Sequence, residues 1–217
     1  MIKYYERRAP WHDQYMSYSG NENMERLFKP VIEKIDTYIS QKNIIEIACG
    51  TGNWTQVLAR KAKHVYAVDS SPKSLELACD KLKSLKNINL DIADAYNLEK
   101  INTKYDVAFI ADFFSHIPKK MINRFLDGIK SVLKPEGWCI ILEMSNKEEF
   151  YEYFDCFVDD NDDLINTRQL PDGNITEVVK NFYSENDLRE ILKNHSNEIL
   201  FHNFEELKRC VVIFKLN

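Results

Sequence analysis

Six residues have the types and spacing to grip a ligand: Glu46, Ala48, Gly50 and Gly52 at alternate positions of the stretch IIEIACGTGNW, with Asp69 and Ser70 beyond them. Residues 44–47 have strand character and residues 53–59 continue with helical spacing, so the small residues make a strand-to-helix turn. Backbone N–H groups at such a turn point at whatever sits above it. Glycine at 50 and 52 lets the chain turn tightly and come close to a ligand that a Cβ would hold off. The strand HVYAVD then delivers Asp69 about 20 residues past the turn, a place from which a carboxylate accepts hydrogen bonds from a ribose diol. A dinucleotide fingerprint would put a third glycine at 55, where this chain has Thr55, which weighs against a pyrophosphate ligand. Farther on, His116 just ahead of Pro118 is the candidate general base, because an unperturbed imidazole titrates near pH 6.5.

Those side chains need a scaffold, and the chain has the means to build one. At 217 residues it suits a single domain, and 44% hydrophobic with 29% charged residues is the balance of a soluble globular protein. The net charge of -5 gives no general pull toward nucleic acid, which needs clustered Lys and Arg. No run approaches the roughly 18 apolar residues of a membrane helix, and residues 1–8 lack the apolar core of a secretory signal, so a cytoplasmic protein is expected. Five cysteines without a C-x-x-C pair read as reduced thiols rather than a disulfide framework or zinc site.

Residues 1–28 carry Tyr4, Tyr5, Trp11, His12, Tyr15 and Tyr18, a density of rings that suggests a helical cap over something apolar. Leu27, Val31, Ile35 and Ile39 mark an amphipathic helix from Met24 to Ser40, bent at Pro30. After the glycine turn, Ser71-Pro72 starts a crossover helix through Leu85, and Ile88–Ile92 and Tyr105–Ile110 read as the third and fourth strands. Residues 121–133 form the next helix, which Pro135-Glu136-Gly137 ends before a fifth strand at 138–143. The lysines from Lys81 to Lys86 read as a solvated helix face. From 146 to 181 an aromatic and acidic insertion follows, with a hairpin whose turn is Pro171-Asp172-Gly173-Asn174. Asp159 to Asp163 lack the glycine and glutamate that an EF-hand needs at Leu164 and Leu170, so they read as a solvated acidic turn and no metal is expected. Ser184 caps a last helix, and strands at 197–202 and 209–216 close the chain. Strands alternating with helices give a doubly wound, mostly parallel α/β sheet, with ligands at the carboxyl ends of the strands.

With Glu46 two residues ahead of Ala48, Gly50 and Gly52, the turn resembles motif I of the class I S-adenosylmethionine-dependent methyltransferases. That resemblance is strongest over residues 44–145 and implies a Rossmann-like sheet of seven strands, one antiparallel, with residues 1–28 as a lid and 146–181 as an insertion. It implies S-adenosylmethionine as cofactor, its methionine end near Glu46 and the 50–52 backbone with Tyr15 or Arg8 from the leader, its ribose on Asp69, and Ala48, Cys49, Thr51, Trp54 and Ser70 also at the cofactor. The adenine amino group would meet Asp94, with Ala95 beside it and Asp91 as competitor, while Ala111 and Phe113 border the cofactor at the end of the fourth strand. The string ADFFSHIP has no Asp/Asn-Pro-Pro-aromatic tetrapeptide of base-amine methylation, and resembles the small-molecule branch. A small-molecule acceptor is therefore implied, without nucleic acid or membrane, and the aromatic and acidic rim suggests an apolar or cationic one. The rival functions are an NAD-dependent oxidoreductase and a non-catalytic cofactor-binding module on the same fold.

Overall fold

A computed structural model describes residues 2–15, 21–145 and 155–217. In chain order, α1 (Ile2–Arg8), α2 (His12–Tyr15), α3 (Asn21–Leu27) and α4 (Lys29–Ile39) precede β1 (Asn43–Ile47). Then come α5 (Asn53–Ala59), β2 (His64–Asp69), α6 (Pro72–Leu82), β3 (Ile88–Ile92), β4 (Tyr105–Ala111), α7 (Ile122–Val132) and β5 (Leu133–Met144). Three short strands, β6 (Cys156–Val158), β7 (Leu164–Gln169) and β8 (Ile175–Val179), are followed by α8 (Glu185–Leu192), β9 (Ile199–Phe204) and β10 (Arg209–Lys215).

Seven of these strands make one sheet in the order β3-β2-β1-β4-β5-β10-β9, and β6-β7-β8 make a separate antiparallel one. In the large sheet β3, β2, β1, β4 and β5 pair in parallel, and β10 runs antiparallel to both β5 and β9. The expected Rossmann-like sheet with one antiparallel strand is therefore what forms. Its central strands are apolar on both faces, as helices on both sides require. Ile44, Val107, Phe109, Ile140 and Val211 face the layer of α4 and α5, while Ile45, Ala108, Ile110, Ile141 and Val212 face that of α7 and α8.

Local chemistry sets the boundaries. Ser71 caps α6, its hydroxyl accepting from the Ser74 N–H at 3.2 Å, with Pro72 in the first turn where a missing N–H costs nothing. At the start of α8, Ser184 and Asp187 form a capping box. The helix expected from Met24 to Ser40 is two helices: the chain leaves helical geometry at Phe28, and Pro30 starts α4 rather than bending a longer one. Pro135-Glu136-Gly137 does not precede the fifth strand but lies inside it as an irregularity, Tyr105 pairing with Leu133 and Val107 with Trp138. Between β3 and β4 the structure has only a 3-10 turn at Leu98–Lys100, so one face of the sheet near Tyr66, Asp91 and Tyr105 lies open as a groove of about 880 Å³.

Candidate active site

The carboxyl ends of β1, β2, β3 and β4 meet at the small-residue turn. Ala48 and Gly50 turn with φ of +58° and +56° and Gly52 with +81°, a left-handed region in which a Cβ is strained. At Gly52 a Cβ would also stand 2.8 Å from Leu82 Cδ1 and 3.1 Å from Ala78 Cβ, so glycine is what lets α6 pack against the turn. At Gly50 the nearest atom to a Cβ is Cε1 of His12, 4.0 Å off, which leaves a cradle between the turn and α2. Asp69 is wired into the same corner: its Oδ2 accepts from the Gly50 N–H at 2.9 Å and its Oδ1 from the Ser71 N–H at 2.8 Å. Burial raises the Asp69 pKa, and those backbone N–H groups work against the rise.

Glu46 lies on β1, buried, and its Oε2 has no hydrogen-bond partner among the described residues. Burial pushes its pKa up to about 8, and the nearby Asp69 charge adds to the rise. No cation among the described residues pairs with this carboxyl. Asp69 and Asp94 stand on neighbouring strand ends, joined through the Ala93 N–H donating to Asp69 O at 3.1 Å. Asp94 accepts from the Tyr96 N–H at 3.0 Å and from Asn97 Nδ2 at 2.5 Å, which fixes the chain just past β3. Its competitor Asp91 is on the open sheet face, bonded by the Tyr66 hydroxyl at 2.7 Å, and so points away from the corner.

Several other side chains expected at the cofactor are buried or packed on neighbouring rings. The indole of Trp54 is buried between Phe28 and Phe109, with ring centroids 5.2 and 5.3 Å away, because the first turn of α5 faces the core. Cys49 is also buried, its thiol pKa raised by burial first, as befits a small filler. Ala95 is buried under α7 near Gly128. Ala111 ends β4, and Phe113 packs on Phe125 at 5.8 Å, while Ser70 is half-buried beside Asp69. The side chain of Tyr15, and Tyr18 altogether, lie outside the described residues.

Over this corner closes a latch that sequence reasoning missed. Asp13 on α2 accepts from Thr51 Oγ1 at 2.6 Å, Asn53 Nδ2 at 2.9 Å and Lys81 Nζ at 2.8 Å. Partial burial works to raise its pKa, but the hydrogen bonds from His12, Lys81, Thr51 and Asn53 outweigh it and hold the carboxyl well below the usual range. Lys81 is thus a tie between α6 and the lid rather than part of a solvated face. No spacing rule joins Asp13 to Thr51, which is 38 positions away.

The second half of the corner is polar and buried. His116 follows β4 on a 3-10 turn, with Nδ1 2.5 Å from the carbonyl of Val179 and the Tyr5 ring edge-on at 5.7 Å. A carbonyl only accepts, so Nδ1 carries the hydrogen and Nε2 keeps its lone pair. The expected titration near neutrality does not hold: burial, then the charges of Lys180, Arg168 and Arg8, put the His116 pKa well below its ordinary value. Lys180 is buried, donates to Ser115 Oγ at 2.7 Å and stands 3.7 Å from Glu143, whose Oε1 accepts from the Ser115 N–H at 3.0 Å. The acidic turn at 159–163 is exposed at Asp160, Asn161 and Asp162, as a solvated turn should be, but buries Asp163. Asp159 closes it on Asn161 and Asp163, and Asp163 is bonded by the Lys119 N–H and Asn181 Nδ2 at 2.8 Å each. Lys180 and Arg168 had one visible signal, polar residues at alternate hairpin positions facing where apolar ones belong.

Comparison with known proteins agrees with this geometry. Residues 44–137 match the model of the methyltransferase domain family. The sheet order and its neighbours among solved structures show a Rossmann-like fold shared with methyltransferases. The chain is similar to the demethylmenaquinone methyltransferase of Thermotoga maritima, 33% identical over 118 residues that are 54% of this chain and 49% of that one. It is also similar to malonyl-[acyl-carrier protein] O-methyltransferase 1 of Ilyobacter polytropus, 29% identical over 137 residues, 59% of this chain and 49% of that one. The matches thus span about half the length, 49%, of these two relatives. Among solved structures, a complex of DhpI with SAM and HEP superposes with a TM-score of 0.78 at 22% identity, covering 99% of this chain and 95% of that one. An S-adenosylmethionine-dependent methyltransferase from Clostridium acetobutylicum gives 0.69 at 22% identity, covering 95% and 96%.

The residues present fit that cofactor on their own chemistry. A buried carboxyl with an unpartnered oxygen suits an ammonium group, the cradle at Gly50 suits close approach, and two acids on adjacent strand ends suit a nucleoside. Among the described residues no helix is long and apolar enough to cross a membrane, and no cluster of metal-ligating side chains occurs.

Proposed function

We propose that the chain transfers a methyl group from S-adenosylmethionine to an oxygen, nitrogen or carbon nucleophile of a small molecule. One observation carries this: Asp69, fixed by the Gly50 N–H at 2.9 Å, stands beside the buried and partly unpartnered Glu46 at the carboxyl end of a parallel sheet. When bound, the cofactor supplies a methyl already activated by a sulfonium, so the protein has little covalent chemistry to perform. Asp69 holds the ribose hydroxyls, with Ser70 beside it, and Asp94 takes the adenine amino group. Glu46 and the 50–52 backbone hold the methionine end. Trp54, Cys49 and Ala95 support the corner by packing rather than by side-chain contact with the cofactor.

The acceptor sits above Ser115 and His116, with α1 and the β7–β8 hairpin excluding water. If a proton must leave the acceptor, Nε2 of His116 is the lone pair available to take it, because Nδ1 is committed to Val179. The net charge of -5 supports an acceptor other than nucleic acid, and the five free cysteines support a reducing, cytoplasmic setting. Calorimetry with S-adenosylhomocysteine tests the assignment. The parent protein should bind it and Asp69→Ala should weaken binding at least about tenfold, some 1.4 kcal/mol. Undiminished affinity in the variant would remove Asp69 from the site, and binding of NADH in place of the homocysteine product would overturn the reading.

A further inference from the structure

Resting on the methyl-transfer reading, we propose that the acceptor is a small molecule carrying an oxyanion, which Arg168 and Lys180 hold beneath α1 and the β7–β8 hairpin. In that hairpin Asn166 pairs with Val178 and Arg168 with Thr176, while the Lys180 N–H donates to Leu164 O at 2.8 Å. Alternation therefore puts Leu164, Asn166, Arg168, Val178 and Lys180 on one face. That face is turned inward: Asn166 and Lys180 are buried, and Val178 with Leu170 packs on Tyr4 of α1. Two cations thus occupy a surface where apolar side chains would be the stable choice.

The partners of Arg168 do not neutralise it. Arg168 donates through Nε to the amide oxygen of Asn166 and through Nη1 to the Tyr4 hydroxyl at 3.4 Å, both uncharged, and its Cζ lies 5.9 Å from the Tyr4 ring centroid. No carboxylate among the described residues pairs with it. Holding a half-buried guanidinium with neutral groups fixes its fork while leaving its charge unbalanced, a costly arrangement unless an anion arrives. Lys180 shares a single acid, Glu143, and the next acid, Asp112, is 3.6 Å from Arg209. The Tyr5 hydroxyl adds a buried donor with no partner among the described residues. The fork of an arginine matches the paired oxygens of a carboxylate or a phosphonate, and the lysine adds a point charge. Burial first, and then the nearby charges of Lys180 and Arg168, lower the His116 pKa in the same chamber.

The test titrates methylphosphonate and, separately, acetate into the full-length protein saturated with S-adenosylhomocysteine, at constant ionic strength set with chloride, following heat and melting temperature. Saturable binding of either anion is expected, lowered at least about tenfold in Arg168→Gln, with Arg168→Lys intermediate because it keeps charge without the fork. Tighter binding of methylphosphonate assigns a phosphorus oxyanion, and tighter binding of acetate a carboxylate. Absence of saturable binding by both, or binding indifferent to Arg168→Gln, overturns the proposal. Failure of S-adenosylhomocysteine to bind the parent would be seen first and would sink the cofactor reading instead. Arg168 is half-buried on a cap strand rather than in the core, and an unchanged homocysteine affinity in Arg168→Gln certifies that the variant is folded.

Discussion

Single side chains set the pH behaviour of this protein, and Glu46 does so most plainly. Its pKa of about 8 lies above the ordinary 4.5, so the folded chain keeps a proton that the unfolded chain surrenders in between. The stability it contributes is complete below about pH 4.5 and disappears as pH rises through about 8. Asp69 and Glu143, raised mainly by burial, act with the same sign, whereas His116, lowered by burial, withdraws stability as pH falls below 6.5. The effect of Glu46 is therefore read as a difference. In the ligand-free protein, melting temperature should decline more from about pH 5 to about pH 8.5 in the parent than in Glu46→Gln. Parallel profiles would mean that Glu46 is ionised throughout. At this scale the sequence was informative where a motif dictates the residue, as at Glu46, Gly50, Gly52 and Asp69, and silent where a partner comes from far away. Asp13, Lys81 and Lys180 owe their roles to neighbours 38, 68 and 65 positions distant, which no local pattern encodes.

Elements carry the next layer. Strand and helix positions were legible because period-two and period-3.6 patterns and the Ser71 and Ser184 caps act locally. What failed was continuity: the early helix breaks at Phe28, just ahead of Pro30, with the Phe28 ring packed on Trp54, and the Glu136 turn is absorbed into β5, where Leu133 pairs with Tyr105. The element of most consequence is α2, fastened through Asp13 to the turn, to α5 and to α6. Its side chain is 39% exposed, so solvent screens the ion pair with Lys81 and the latch is worth on the order of 1 kcal/mol. Asp13→Ala should leave the urea midpoint nearly unchanged. It should speed dissociation of S-adenosylhomocysteine several-fold in stopped-flow displacement, with proteolysis within residues 2–15 becoming faster. Equal dissociation rates in variant and parent would show that α2 does not gate the corner.

Across the whole molecule, rigidity is unevenly shared. Ile44, Ile45, Phe109 and Ile140 at the centre of the sheet are wholly buried, and each such side chain contributes on the order of 2 kcal/mol. By contrast, α1 and the β7–β8 hairpin are held by a small cluster around Tyr4, Leu170 and Val178. Native-state hydrogen exchange should accordingly divide the amides into two sets. Those of β1 and β4 should open only with global unfolding, while those of α1, β7 and β8 open at lower cost and gain protection when S-adenosylhomocysteine and an anion are added together. Uniform exchange across both sets would contradict this division. The seven-stranded plan was readable in advance because alternation of strands and helices admits few topologies, but the inward cations of the cap were not, since their charge sits where patterning demands apolar residues.

Tyr4 reaches Arg168 across 164 positions of sequence, so the start of the described chain would form a wall of the proposed acceptor site. Any peptide fused immediately ahead of Ile2 would be built onto that wall. Enzyme carrying an amino-terminal purification handle should therefore show a higher apparent KM for its acceptor than enzyme tagged behind Asn217, with the cofactor's own KM much less affected. Side-by-side assays of the two preparations would reveal it, and matching constants would mean that the wall tolerates extension.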